Sequence, residues 1–264
     1  MFKDISLYID NKKVFFEYEI DKDKIIINTI DELEIEKKLK IFYDENIYEI
    51  KLNSNTKFSK GKAGEIIINL DIKKGNKVLI LGNSGGGKST LLKILKHYYE
   101  VKRGSVLIGG VDINDYKKND IIYISQNEKL FTDTIYNNIG NSDKFSEIIK
   151  ICLLDEVVEK FKLGYNTLIE EDGFNISGGQ KQRIMLARAI NNDFNILLID
   201  EGLNQLDVNS ERKILKNLFN HYKDKTIIVV SHRLDNMDLY NQVIEISKKV
   251  IRNESFNNWF SNHC

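Results

Sequence analysis

No proline interrupts the 264 residues of the chain, and cysteine occurs only at Cys152 and Cys264. Two thiols so far apart build neither a disulfide framework nor a CxxC metal or redox pair, so a reducing, cytosolic compartment is the default. The missing proline removes the usual turn punctuation and, beside the abundance of Ile, Lys and Asn, reads as codon bias without functional content. Neither sign of charge is in surplus: Lys+Arg and Asp+Glu are both 39. A protein that lives on nucleic acid normally carries excess Lys and Arg, so wholesale electrostatic binding of that kind is disfavoured. Long apolar runs are also missing. The runs VLIL at 78–81 and IIVV at 227–230 fall far short of the roughly 18 residues that span a bilayer. Neither a membrane span nor a signal peptide is expected.

What is present can build a core. Apolar residues make up 42% and aromatics 10% of the chain, which excludes a wholly disordered polymer. The length fits one large or two unequal domains. The first 50 residues hold 8 Lys and no Arg against 13 Asp+Glu, so the N-terminal fifth differs in character from the rest.

From Lys77 onward, short apolar runs alternate with amphipathic stretches, the pattern of helices packed on a mostly parallel sheet. KVLIL (77–81), SVLI (105–108), DIIYIS (120–125), NILLID (195–200) and TIIVVS (226–231) read as strands. A continuous apolar run bounded by polar turns marks a strand buried on both faces. Residues 89–99, 142–154, 179–191 and 210–222 read as helices. IYEIKL (47–52) and EIIINLDI (65–72) alternate apolar with polar, which predicts antiparallel strands with one solvated face. Residues 1–45 give conflicting signals, with strand-like KVFFEYEI and KIIINTI followed by weak helical spacing at 31–43, and stay unassigned. Cys152 is expected in a helix–helix contact, and the segment around Trp259 reads as an end helix.

Gly82-Asn83-Ser84-Gly85-Gly86-Gly87-Lys88-Ser89-Thr90 matches GxxxxGK[ST] between the strand KVLIL and a helix, the setting that motif requires. Glycines let backbone amides converge on phosphate oxygens, and the helix N-terminus adds positive partial charge. Lys88 then reaches the β/γ-phosphates and the Ser89 hydroxyl ligates Mg²⁺. The expected ligand is a nucleoside triphosphate with magnesium. The run at 196–199 ends in Asp200-Glu201, two acids at the carboxyl end of a buried strand, where ligands of open α/β sheets sit. Asp200 is the natural metal partner and Glu201 a candidate for polarising the attacking water.

Ile176-Ser177-Gly178-Gly179-Gln180 opens a second helix N-terminus before KQRIMLARAI. With no Lys-Ser pair and no metal carboxylate beside it, this end is equipped to contact a phosphate that another segment already holds. As a lone motif, SGG before a helix is more often a plain N-cap.

These residues resemble the ATP-binding cassette family, whose signature LSGGQ stands here as ISGGQ, and the resemblance covers about residues 47–253. It implies an α/β P-loop NTPase with a mostly parallel core sheet, an antiparallel β subdomain and a helical signature subdomain. On this resemblance a cassette spans 46–264, and the N-terminal segment 1–45 is expected to be a remnant of a membrane-domain linker. On the family pattern 82–90 is the Walker A loop, Gln126 the Q-loop glutamine and a metal contact, Asp200 the Walker B aspartate and Glu201 the catalytic glutamate. Asp207 is the D-loop aspartate, His232 the switch histidine, and Phe58 the aromatic against adenine. The resemblance also implies head-to-tail pairing with a second cassette, homodimeric or heterodimeric, with each ATP between one Walker A loop and the other copy's Ser177, Gly178, Gly179 and Gln180.

LFTDTIYNNI (130–139) and GYNTLIEEDGF (164–174) resemble the exporter branch. That implies coupling of ATP hydrolysis to export, a transmembrane-domain partner, a place at the cytoplasmic face of the membrane and no direct nucleic-acid contact. A soluble cassette ATPase acting on nucleic acid or ribosomes, and a P-loop small-molecule kinase, are the alternatives. The first usually has a coiled-coil insertion or tandem cassettes, and the second does not explain ISGGQ. Where the family commonly has Ala-Thr-Ser-Ala, this chain has Gly202-Leu203-Asn204-Gln205, a departure that bears on the interface between paired copies.

Overall fold

The structure, a computed structural model, describes residues 7–9, 12–14, 16–21, 24–29, 50–52, 70–99, 101, 103–126, 128–246 and 251–255. In chain order the strands are β1 (Leu7–Ile9), β2 (Lys12–Val14), β3 (Phe16–Asp21), β4 (Lys24–Thr29), β5 (Ile50–Leu52), β6 (Leu70–Ile72) and β7 (Lys77–Gly82). They continue as β8 (Val106–Ile108), β9 (Val111–Asp112), β10 (Ile121–Ile124), β11 (Ile196–Asp200), β12 (Thr226–Val230), β13 (Gln242–Ile246) and β14 (Ile251–Ser255). The helices are α1 (Lys88–Leu95), α2 (Ile135–Ile139), α3 (Phe145–Cys152), α4 (Asp155–Val158), α5 (Gly178–Ile190) and α6 (Val208–His221). The chain divides into two compact units, Met1–Lys73 with Val101–Tyr116, and Lys74–Glu100 with Lys117–Cys264.

The first unit is antiparallel. β1 pairs with β2 and β3 with β4, so strands stand in the segment that sequence left unassigned. A four-stranded sheet runs in the order β6-β5-β8-β9, with β5 and β6 antiparallel as their alternation predicts. β8 corrects an expectation: grouped by sequence with the parallel strands, it pairs antiparallel with β5 and β9. Gly109 and Gly110, both at positive φ, turn the chain straight back into β9, and so short a connection joins only antiparallel neighbours. The helical spacing at 31–43, the boundary at 45/46 and the end helix around Trp259 all lie outside the described residues.

The second unit holds a six-stranded sheet in the order β10-β11-β12-β7-β13-β14, parallel except for β14. β7, β11 and β12 are buried along nearly their whole length, which explains why they read as unbroken apolar runs. β13 escaped notice because Gln242 and Glu245 break its apolar pattern. α2 and α3 pack on α5, and α3 also on α6. Ile148, Cys152, Ile184, Ile190, Ile214 and Leu218 are fully buried in that core, each burial of an aliphatic side chain contributing about 1.5–3 kcal/mol. Cys152 thus sits in the expected helix–helix contact. α1 and α3 stop short of their expected ends because His97 and Leu153 adopt positive φ, which a right-handed helix cannot continue through.

Parallel pairing sends the carboxyl ends of β7, β10, β11 and β12 to one edge of the sheet. Gly82 closes β7, and Gln126, Glu201 and His232 follow the ends of β10, β11 and β12, so the topology itself gathers the chemistry.

Candidate functional site

The loop after β7 is shaped by backbone that only glycine supplies. Gly82 has φ 142°, and a Cβ there would stand 2.0 Å from the Ile246 carbonyl oxygen of β13. Gly87, at φ 99°, is the residue before α1, and the first amides of that helix lack intrahelical partners. Asn83, Ser84 and Gly85 are exposed, Gly86, Ser89 and Thr90 half-buried. Lys88 is buried, and its Nζ donates to the carbonyls of Gly82 at 2.8 Å and Asn83 at 3.0 Å. Burial pushes its pKa below the ordinary lysine value, while the charges of Glu201 and Asp200 pull it upward. A cation is thus held under an open loop of amides.

Asp200 ends β11 at 3% exposure. Its Oδ1 accepts from Ser89 Oγ at 3.0 Å and its Oδ2 from Tyr123 Oη at 2.9 Å. Burial, then the hydrogen bond to Asp200 and that carboxylate's charge, push the Tyr123 phenol well above its usual range, so it stays a donor. Glu201 takes a left-handed backbone, φ 54°, uncommon outside glycine and held here by the bond from its N–H to the Val230 carbonyl at 3.1 Å. The turn aims its carboxylate away from the strand. Oε1 lies 2.8 Å from His232 Nε2, and Oε2 accepts from Gln126 Nε2 at 3.0 Å. The structure therefore brings together Lys88, Ser89 and Asp200, and beside them Gln126, Glu201 and His232.

The ISGGQ segment opens α5 elsewhere. Ser177 caps the helix reciprocally: its Oγ accepts from Gln180 N at 3.3 Å, and its own N–H donates to Gln180 Oε1 at 2.7 Å. A groove of about 540 Å³ runs along this end, lined by Ser177, Gly178, Gly179, Gln180, Gln205 and Asp207 among others. Asp207 caps α6 by accepting from Ser210 N at 2.9 Å, and the hydrogen bonds from Ser210 hold its carboxyl below the usual range. Among the described residues, no hydrogen bond or ion pair joins Ser177, Gly178, Gly179 or Gln180 to residues 82–90, and the groove contains none of them. Phe58 lies outside the described residues.

A profile of the ABC transporter family matches residues 67–204. The chain belongs to the ABC transporter family. This cassette is 35% identical to an ATP-dependent lipid A-core flippase of Pasteurella multocida, over 84% of this chain and 40% of that protein. It is 40% identical to the lactococcin-A transport/processing ATP-binding protein of Lactococcus lactis, over 71% of this chain and 28% of that protein. A solved bacterial Atm1-family ABC exporter with ATP bound matches with a TM-score of 0.75 at 26% identity, over 83% of this chain and 41% of that one. The cassette is of the exporter branch, and the chain spans well under half the length of the curated relatives it matches.

Sequence reasoning missed several contacts of the cassette. Tyr123 lies three residues before Gln126 and reads only as part of a strand, yet it holds Asp200. Arg188, inside α5, donates to Glu128 Oε1 and the Lys129 carbonyl, both at 2.8 Å, and stands 5.0 Å from the centre of the Phe131 ring. It ties the signature helix to the segment that carries Gln126. Gln182, Asn204 and Arg233 hold the stretch after Glu201. The Gly202-Leu203-Asn204-Gln205 departure was the one signal pointing there.

Proposed function

We propose that this chain is the nucleotide-binding motor of an exporter: it binds Mg-ATP, pairs head to tail with a second ABC ATPase domain, and couples hydrolysis to a transmembrane domain at the cytoplasmic face of a membrane. The separation of the two anion sites carries this reading. The cradle at Lys88 sets its lysine under a glycine loop, with the Ser89 hydroxyl on Asp200, whereas the α5 groove, lined by Lys160, Arg183, Glu156 and Asp207 as well as a helix N-terminus, has no such loop. One copy's groove supplies the face that the other copy's cradle lacks.

Ser89 Oγ and Asp200 Oδ1, 3.0 Å apart, are the hard oxygen donors that suit Mg²⁺. Among the described residues no group of three or more His, Cys, Asp or Glu side chains could hold a metal, so the remaining ligands would be phosphate oxygens, water and the side chain of Gln126. Bound there, magnesium supplies neutralisation of phosphate charge. Lys88 is placed for the β/γ-phosphates, with the amides of residues 83–90 around them. The Glu201 carboxylate orients the attacking water, and His232, 2.8 Å from it, senses the γ-phosphate beside it. Gln126, which donates to Glu201, is placed to report phosphate occupancy to its loop.

Docking of a transmembrane domain fits the apolar side chains left in water. Phe131, Leu168 and Phe174 are 66%, 53% and 87% exposed, and the first two lie on segments joined by bonds from Ile135 N to the Thr167 carbonyl and Ile169 N to the Asp133 carbonyl. Arg188 connects that face to the Gln126 segment. Among the described residues no helix is long and apolar enough to cross a membrane.

ATPase assays across protein concentration test the reading. Specific activity is expected to fall on dilution as pairs dissociate. Glu201→Gln is expected to cut turnover by about 10²–10⁴ and to accumulate an ATP-bound dimer on size exclusion, while Lys88→Ala abolishes ATP binding by calorimetry. Concentration-independent turnover, or normal phosphate release by Glu201→Gln, would refute it.

A further inference from the structure

Gln182 lies one turn inside α5 and is 6% exposed. The oxygen and the nitrogen of its side-chain amide go to adjacent residues of the stretch after Glu201. Oε1 accepts from the backbone N–H of Gln205 at 2.8 Å, and Nε2 donates to Asn204 Oδ1 at 2.9 Å. From another direction Arg233 donates to the carbonyls of Asn204 at 2.5 Å and Leu206 at 2.6 Å, and is itself fixed by Glu211 at 3.0 Å. Glu211 is only 3% exposed. The stretch is therefore gripped by the signature helix and by the neighbour of His232.

The orientation of each amide in this chain follows from chemistry. A backbone N–H can only donate, so the oxygen of Gln182 must face Gln205. The NH₂ of Gln182 then faces Asn204, whose oxygen must turn toward it. That leaves Asn204 Nδ2 as the group presented to Glu201, 3.5 Å from Oε2. The reversed amide would set an oxygen lone pair against a carboxylate. Glu201 Oε2 thus faces two donors, Gln126 on one element and Asn204 on another.

We propose that Gln182 and Asn204 form a polarised amide relay that positions Glu201 and couples it to the signature helix. Gly178, at the phosphate-facing end of α5, and Gln182 are four residues apart on one helix, so a displacement of that end moves the residue that fixes Asn204. Engagement of one nucleotide at the groove thereby alters the carboxylate that serves the other. Gln182 and Asn204 are positioning residues, and their role rests on the reading of Glu201 as the residue that orients water.

Steady-state ATPase kinetics of the purified chain test the relay with Asn204→Ala, Gln182→Ala, the double variant and Asn204→Asp. Asn204 is exposed, so its variants leave the core untouched, and Asp is nearly isosteric with Asn. Each alanine variant is expected to lower kcat about tenfold with KM for ATP within about twofold, and the double variant to fall no further than the lower single. Asn204→Asp, which keeps an oxygen toward Gln182 but opposes another to Glu201, is expected to lose more than Asn204→Ala. A packing role would leave Asn204→Asp at wild-type kcat. That result, or alanine losses that multiply, overturns the relay while the motor reading stands. A wild-type chain that hydrolyses no ATP overturns the motor reading and the relay with it.

Discussion

The side chain of Gln205 occupies the space that a Cβ on Gly178 would need: its Oε1 lies 1.9 Å from that position. The contact joins the stretch after the acid pair to the first turn of the signature helix, and it differs in kind from the crowding at Gly82. There the obstacle is the backbone carbonyl of Ile246 at 2.0 Å, and the glycine also stands at φ 142°.

Alanine at the two glycines should therefore behave oppositely. Gly82→Ala meets a rigid strand in a conformation closed to L residues, and is expected to cost more than about 3 kcal/mol or to prevent folding. Gly178→Ala meets the far end of a flexible side chain and should cost less than about 1 kcal/mol. Adding Gln205→Ala should recover that loss. Urea unfolding of the three variants checks this; an equal loss for Gly82→Ala and Gly178→Ala contradicts it.

Tyr123 is expected to matter to Asp200 and not to the nucleotide base. Tyr123→Phe removes the 2.9 Å hydrogen bond to Oδ2 and leaves the edge-on packing against Tyr98. Loss of one hydrogen bond to a charged group should cost about 1.5–3 kcal/mol of stability. The freed carboxylate should also raise the magnesium concentration needed for half-maximal ATPase activity several-fold, by about the same factor whichever nucleotide is used. Magnesium titrations with ATP and GTP read this directly.

The strands that form the centre of the sheet were legible because burial on both faces demands unbroken apolar runs, as at β7, β11 and β12. The same rule misplaced β8, since three apolar residues reveal that a strand is buried and not which way its neighbour runs. It missed β13, whose Glu245 interrupts the run. At the site, the glycine loop, Lys88, Ser89 and the acid pair were readable because a phosphate cradle requires particular backbone and donor types in one short segment. Tyr123, Gln182 and Asn204 were not. Their roles come from contacts across 77, 22 and 3 residues respectively, set by how β10, α5 and the stretch after β11 approach one another.

Lys77 gives stability a particular pH dependence. Its buried Nζ donates to the carbonyls of Gly75 at 2.8 Å, Tyr222 at 2.9 Å and Lys225 at 2.5 Å. Burial brings its pKa down to about 8 from the ordinary value of 10.5, against the opposing charge of Asp224. Below pH 8 the amine is protonated in both folded and unfolded chains. Between about 8 and 10.5 the unfolded chain binds the proton more tightly, so unfolding free energy rises with pH across that window. Relative to Lys77→Met, which has no proton to lose, the wild type should gain stability from pH 7.5 to pH 9.5. A constant difference in urea-unfolding free energies across that range would show that the site does not depress the lysine.

Ser177 performs two tasks that substitutions can separate. As the N-cap of α5 its Oγ accepts from Gln180 N, so Ser177→Ala should cost about 1 kcal/mol of stability. If the groove receives the nucleotide of a paired copy, that variant should still hydrolyse ATP at a reduced rate, because the helix amides remain. Ser177→Arg loses the same cap and also places a long side chain in the groove. It is expected to abolish turnover and ATP-driven dimerisation while the affinity of an isolated chain for ATP stays within about twofold of wild type. Nucleotide titration at concentrations where the chain is monomeric separates the cases. Weakened monomer binding by Ser177→Arg would mean that the signature helix serves its own chain's nucleotide, and the division of labour between two copies would fall.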